Sequence, residues 1–60
     1  MTGQEFKAAL KALGLSQRRF AAKIGVEPNT VNRWAVDAVP VPSVVVEYLR
    51  VLTLAQRMLQ

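Results

Sequence analysis

The side chains of this 60-residue chain that could take part in chemistry are eight Lys and Arg, four Asp and Glu, and neutral amides and hydroxyls, because it contains no Cys and no His. Thiolate nucleophiles, imidazole acid–base groups, disulfides and zinc sites of the usual Cys/His kind are therefore excluded. No nucleophile with a base beside it accompanies the carboxylates, which are scattered over different predicted elements. These carboxylates are Glu5, Glu27, Asp37 and Glu47. We expect no enzyme activity, catalytic residue, metal site, cofactor or small-molecule substrate.

The positive charge is concentrated in the first half of the chain. The formal net charge is +4. Residues 1–34 carry six cations against two carboxylates, whereas residues 35–60 carry two of each. The first half could therefore meet a polyanion, and the second half is neutral and apolar.

Composition and length predict one compact domain over residues 1–60. The chain is 52% hydrophobic and 20% charged, which is apolar enough to fold. No segment approaches the 18 or so consecutive apolar residues of a membrane span, and residues 1–5 lack the basic start and apolar core of a signal peptide. We expect a soluble, cytoplasmic protein without a membrane partner.

Cap signals and apolar periodicity predict the first two helices. Thr2 and Glu5 have the spacing of a capping box, which predicts a helix to about residue 13, followed by Gly14 as a left-handed residue. Ser16 is the N-cap of a second helix over residues 17–24, which Gly25 ends. The apolar residues of the first helix recur with a helical period on one face. They are Phe6, Ala9, Leu10 and Leu13.

Prolines delimit the remaining elements. Pro28 suits the first turn of a third helix that continues from Asn29 to about Val36. Residues 37–42 contain two prolines and predict a loop. A final helical stretch opens at Pro42 or Ser43, with a break near Thr53 as one alternative. Its core-facing stripe is predicted to comprise Val45, Tyr48, Leu49 and Leu52.

Residues 16–36 meet the requirements of a helix-turn-helix. Ala21 is small where the next helix must cross closely, Gly25 permits positive φ in the turn, and Val31 fills the angle between the helices. The same register turns Trp34 inward, which favours a core role over a stacking role.

This pattern resembles the lambda-repressor-like helix-turn-helix family, which includes phage repressors, Cro proteins and XRE-type and antitoxin-type regulators. The resemblance covers nearly the whole chain and implies an all-α, compact four- or five-helix bundle with a central helix-turn-helix. It also implies sequence-specific binding of double-stranded DNA by a repressor-like transcriptional regulator, with residues 28–36 as the recognition helix in the major groove. The segments that carry it are Leu13-Gly14-Leu15-Ser16-Gln17, Phe20-Ala21, Ile24-Gly25-Val26, Thr30-Val31 and Arg33-Trp34.

The resemblance also implies candidate contact residues. Asn can pair with adenine, Arg with guanine, and a Thr methyl can contact thymine. Glu27 has two possible roles, as an acceptor for a cytosine amino group or as a negative charge at the helix N-terminus. Each lysine could bind phosphate or simply be solvated. The base-contact candidates are Glu27, Pro28, Asn29, Thr30 and Arg33. The phosphate candidates are Gln17, Arg18, Arg19, Lys23 and Lys7.

The sequence departs from the family pattern after Trp34. Residues 35–39 contain no glycine and no cation, where the family usually places polar or basic residues around a glycine. We therefore expect a smaller salt-dependent contribution to DNA affinity.

Valine enrichment after residue 35 predicts a self-association surface. One helix cannot bury two apolar faces in a 60-residue monomer, and an exposed apolar patch normally marks an interface. We expect a homodimer on a palindromic site. Two alternatives remain. In the first, the valines complete a small core. In the second, the chain is a self-assembling module, natural or redesigned, that binds DNA weakly or not at all and uses residues 36–46 and the apolar half at 42–60 as its interface. The self-association candidates are Val36, Val39, Val41, Val44, Val51 and Met58.

Overall fold

The computed structural model describes residues 1–59, which form four α-helices and no strand. This confirms the all-α prediction and gives four helices in the described part of the chain. The predicted bounds agree to within about one residue, and the loop over residues 37–42 is present. The helices are α1 Gly3–Ala12, α2 Gln17–Ile24, α3 Pro28–Ala35 and α4 Ser43–Met58.

The predicted capping box at the start of α1 is confirmed. The Thr2 N–H donates to Glu5 Oε1 at 2.7 Å, and the Glu5 N–H donates to Thr2 Oγ1 at 3.1 Å. The bond from the Thr2 backbone, followed by the bond to its side chain, lowers the pKa of Glu5. After α1, Gly14 has the predicted left-handed conformation with φ +71°.

Local signals also fix the short connection between α2 and α3. Ser16 Oγ accepts from the Arg19 N–H at 3.0 Å, which caps α2. Gly25 ends α2 with φ +75°, a conformation that costs glycine little. The Val26 N–H donates to the Ala21 carbonyl at 3.0 Å, and Pro28 begins α3 three residues after Gly25.

The core is apolar and joins all four helices. An edge-to-face chain of rings runs through it, with ring centroids 5.7 Å apart for Phe6 and Phe20 and 5.9 Å apart for Phe6 and Trp34. Tyr48 of α4 extends the chain, 6.1 Å from Phe20. Trp34 is only 5% exposed, which confirms its core role. The buried hydrophobic residues are Phe6, Leu10, Phe20, Ala21, Val31, Trp34, Ala35, Val45 and Leu49.

Helix α4 is continuous, so the break considered near Thr53 is wrong. Thr53 Oγ1 donates to the Leu49 carbonyl at 2.8 Å, which satisfies the hydroxyl within the helix. Near the end of α4, Gln56 Nε2 donates to the Ala12 carbonyl at 3.3 Å and connects the helix to the end of α1. The predicted inward stripe is present, with Val45 and Leu49 buried and its other two members half-buried.

A contact that the sequence did not predict joins the end of α3 to the start of α1. Asp37 has φ +61°, and the next residue's N–H donates to the Arg33 carbonyl at 2.9 Å, which closes the C-terminus of α3. The Asp37 Oδ1 accepts from the Gly3 N–H at 2.7 Å. Gly3 is buried, and a Cβ there would lie 2.8 Å from the Ala35 carbonyl carbon. The two helix ends therefore meet backbone to backbone.

Candidate nucleic-acid interface

The α2–α3 unit is held by side chains small enough for a close crossing. Ala21 and Val31 are both fully buried, in the positions predicted for the small residue and the plug of the angle. The connection between the helices is only three residues long, Gly25 to Glu27. The orientation of α3 is therefore set by packing on α2 and by the Gly25 turn.

Helix α3 presents one polar face away from the core. Its buried residues are Val31, Trp34 and Ala35. Asn29 and Arg33 are exposed one helical turn apart. The remaining base-contact candidates lie at or next to the N-terminus of α3, where Glu27 and Pro28 are exposed and Thr30 is half-buried.

Asn32 also lies on this exposed face, although it was not among the predicted contact residues. It follows Asn29 by three positions, so the two amides are neighbours on the helix surface. The helical period of the exposed residues could have identified it from the sequence.

The polar groups of this face have no partner among residues 1–59. No side-chain hydrogen bond in that range involves Asn29, Asn32 or Arg33. The only ion pair within the described chain joins Glu47 and Arg50 at 3.6 Å on α4. The side chain of Glu27 makes no capping hydrogen bond to α3. These donors and acceptors are therefore available to an external ligand.

The phosphate candidates are divided among three places. Lys7 and Gln17 lie together, lining one open depression of about 320 Å³ with Lys11, which was not predicted. Arg18 and Arg19 are exposed in the first turn of α2, where the helix dipole favours an anion. Lys23 is exposed but borders a different depression, between α2 and α4.

The segment after α3 has no cation, and its carboxylate is already engaged. Asp37 accepts the Gly3 N–H, so this acidic residue holds α1. Val36 and Val39 are exposed in the same segment, at 58% and 42%. An apolar surface therefore borders the end of α3 where the family usually has polar or basic residues.

Exposed apolar residues continue along α4. Val44, Val51 and Met58 are 73%, 60% and 78% exposed, and each is a predicted self-association residue. Leu54 and Leu59, which were not predicted, are 58% and 88% exposed. Val41 differs from the expectation, because it is half-buried and packs against the core.

Together, a three-residue turn, a buried small residue in α2 and a free polar face on α3 define a helix-turn-helix protein. The helix-turn-helix family matches residues 6–54, and the chain belongs to this lambda-repressor-like family of DNA-binding regulatory domains. The family is not typically enzymatic. No curated protein and no solved structure matches the chain significantly. Within residues 1–59, none of the helices is long and apolar enough to cross a membrane.

Proposed function

We propose that the chain binds double-stranded DNA in a sequence-specific manner and acts as a transcriptional regulator, with α3 in the major groove. The observation that carries this proposal is the polar face of α3, on which Asn29 and Arg33 are exposed one turn apart without an intramolecular partner. Free amide and guanidinium groups are what bidentate pairing to adenine and guanine requires.

The α3 residues have separable roles in this proposal. Asn29 and Arg33 read base edges, with Asn32 as a third reader on the same face, and Thr30 offers its methyl to thymine. Pro28 and Glu27 lie at the end of α3 that enters the groove first. The ionised Glu27 carboxylate can only accept hydrogen bonds, and its charge would repel phosphate. The cytosine amino group is therefore the base donor that it can bind.

Phosphate contacts position the domain without reading sequence. Arg18, Arg19 and the first turn of α2 form one group of contacts, and Lys7 with Gln17 forms a second, to which Lys11 adds a charge. Lys23 gives a third point of attraction.

We propose further that the domain acts as a homodimer on a palindromic site. One recognition helix reads only a few base pairs, and two half-sites one helical turn apart require recognition helices about 34 Å apart. The exposed apolar residues of the second half give the chain a surface for a second copy.

The test is DNA binding by fluorescence anisotropy, with a duplex selected from a random library and an unrelated duplex. Asn29→Ala and Arg33→Ala should each weaken binding of the selected duplex about 5- to 150-fold, the equivalent of about 1–3 kcal/mol. Arg50→Ala, which removes the same charge from α4, is the matched control and should leave the preference for the selected duplex unchanged. Equal affinity of all variants for both duplexes contradicts the proposal.

A second candidate is a self-assembling module with little DNA binding, favoured by the exposed valines and the absence of a cation after α3. The same titration distinguishes it. Oligomers that form normally while no duplex binds at about 50 mM salt, where phosphate contacts are strong, would support this candidate.

A further inference from the structure

Four exposed apolar side chains form a stripe along α4, with the exposed Glu47 on the same face between Val44 and Val51. Successive residues of a helix turn by about 100°, so positions separated by seven or by three and four share one face. The stripe is about 21 Å long, since each residue adds about 1.5 Å. It lies opposite the buried Val45 and Leu49. We call it the α4 stripe, and its members are Val44, Val51, Leu54 and Met58.

A groove borders the N-terminal end of the same stripe. It has a volume of about 530 Å³ and lies between α4 and the α2–α3 unit. Its walls are mainly apolar and include Val26, Trp34, Val44 and Tyr48, with Lys23 at its edge. We call it the α4 groove. The most exposed large apolar residue of the described chain, Leu59 at 88%, lies at the opposite end of α4.

We propose that α4 pairs antiparallel with α4 of a second copy about a twofold axis near Val51, and that Leu59 of each copy enters the α4 groove of the other. Leu59 and Val44 are 15 positions apart, which places Leu59 about 22 Å along the helix from the α4 groove. A twofold axis midway between them brings Leu59 of each copy to the α4 groove of the other. The surface is thus self-complementary, as an isologous interface requires.

Charge favours the antiparallel direction. In a parallel pair, Glu47 would oppose its own copy, and like charges at close range repel. In the antiparallel pair with Val51 near the axis, Glu47 comes within about one helical turn of Arg57 of the second copy. Helical spacing places Glu47 on the stripe face, seven residues before Leu54, and Arg57 at the edge of that face, three residues after Leu54. Glu47 makes only an exposed contact of 3.6 Å to Arg50 in the single chain, so it can exchange partners at little cost.

The inference rests on the homodimer of the proposed function and specifies its interface. It places the contact on α4 rather than at Val36 and Val39, which extend from the end of α3. Residues of α3 that face DNA in the proposed function belong to neither the stripe nor the groove.

Single-cysteine variants test the direction of pairing, because the chain has no cysteine of its own. Oxidised Val51→Cys should form a disulfide-linked dimer, since the Cα atoms of a disulfide lie within about 7 Å. Met58→Cys alone should not, because the axis separates its two copies by about 21 Å. A mixture of Val44→Cys and Met58→Cys should give the mixed disulfide. Cross-linking of Met58→Cys alone without the mixed product would show parallel pairing and overturn the proposal.

Sedimentation equilibrium tests the interface without a cross-link. The unaltered chain should be dimeric at high concentration, and Val51→Asp should be monomeric with an unchanged helical circular dichroism spectrum. Val36→Asp is the matched control, an exposed valine outside the stripe, and should stay dimeric. A monomeric parent chain at about 1 mM, or a monomer from Val36→Asp alone, overturns the inference. DNA recognition that still depends on Arg33 in that case would leave the DNA-reading part of the proposed function standing.

Discussion

Arg33 on α3 can pair with guanine through two parallel hydrogen bonds, because its guanidinium is a planar fork. The ammonium group of a lysine does not have this shape. Arg33→Lys should keep the charge and the salt dependence but reduce the preference for the selected duplex about 5- to 150-fold, the equivalent of about 1–3 kcal/mol. Lys23→Arg, which also preserves charge, should leave that preference unchanged. Competition titrations with selected and unrelated duplexes measure both. An undiminished preference in Arg33→Lys would show that Arg33 acts only as a charge.

Glu5 gives the α1 capping box a dependence on pH. Its pKa is lowered because its carboxylate accepts the Thr2 N–H, so its contribution to stability is present above the ordinary glutamate value and is lost as pH falls through the lowered value. Glu5→Gln keeps an acceptor that does not titrate. Its Tm should lie below that of the parent chain at pH 7, and the difference should shrink towards pH 3. Thermal melts followed by circular dichroism over this range measure it, and a difference that does not vary with pH contradicts it.

At the scale of the elements, Asp37 contributes a hydrogen bond that holds the end of α3 against the start of α1. Asp37→Ala should lower the free energy of unfolding by about 1.5–3 kcal/mol, because alanine tolerates φ near +60° poorly and the charged hydrogen bond to Gly3 is lost. Asp37→Asn should be close to the parent chain, since asparagine keeps both an acceptor and a tolerance for this conformation. Urea unfolding measures the series. Equal stability of Asn and Ala variants would mean that the contact contributes nothing.

Gly3 provides an independent test of the same helix contact. A Cβ at this position would lie 2.9 Å from the Trp34 carbonyl oxygen and closer still to the Ala35 carbonyl group. Gly3→Ala should therefore destabilise the fold by about 1–3 kcal/mol, although alanine is the better helix former. Gly14→Ala is not a suitable control because of its positive φ, whereas Gln4→Ala, on the exposed side of α1, should be nearly neutral in the same urea titration.

The elements were largely predictable from the sequence because their boundaries depend on local chemistry. Thr2, Ser16, Gly25 and Pro28 each act within one helical turn, and each defines a boundary in the structure. The contact between Asp37 and Gly3 joins residues 34 positions apart, so no local sequence pattern predicts it. Helix α4 continues past Thr53, whose hydroxyl bonds to the Leu49 carbonyl within the helix, and a propensity argument cannot anticipate this bond.

The candidate site was predictable in part for the same reason. The register that turns Val31 and Trp34 inward necessarily turns Asn29 and Arg33 outward. The juxtaposition of Lys7, Lys11 and Gln17 requires α1 and α2 to be placed in space, and so does the half-burial of Val41 against the core. Sequence periodicity describes one helix at a time and contains no such information.

At the scale of the whole molecule, the described chain is 34 Å long and 18–20 Å across, and its charge and apolar surface lie on different parts of it. The exposed cations proposed for phosphate lie on α1 and α2, whereas the α4 stripe carries no cation. DNA and a second copy therefore use largely separate surfaces that meet at Lys23, on the edge of the α4 groove. Substitutions of Arg33 on α3 or of Val51 on α4 alter one surface and leave the other intact.

The strength of the salt dependence follows from this separation. The five cations placed at phosphate on α1 and α2 predict a slope of log K against log salt of about −4.5 per subunit, since each neutralised phosphate contributes about −0.9. They are Lys7, Lys11, Arg18, Arg19 and Lys23. The absence of a cation from residues 35–42 keeps the slope from being steeper. Arg19→Gln should reduce its magnitude by about 0.9 per subunit. The charge-matched Arg50→Gln should not, because Arg50 lies on α4 beside Glu47. Titrations between about 50 and 200 mM salt measure the slope, and an equal loss in both variants would mean that net charge, and not the position of the cations on α1 and α2, attracts the DNA.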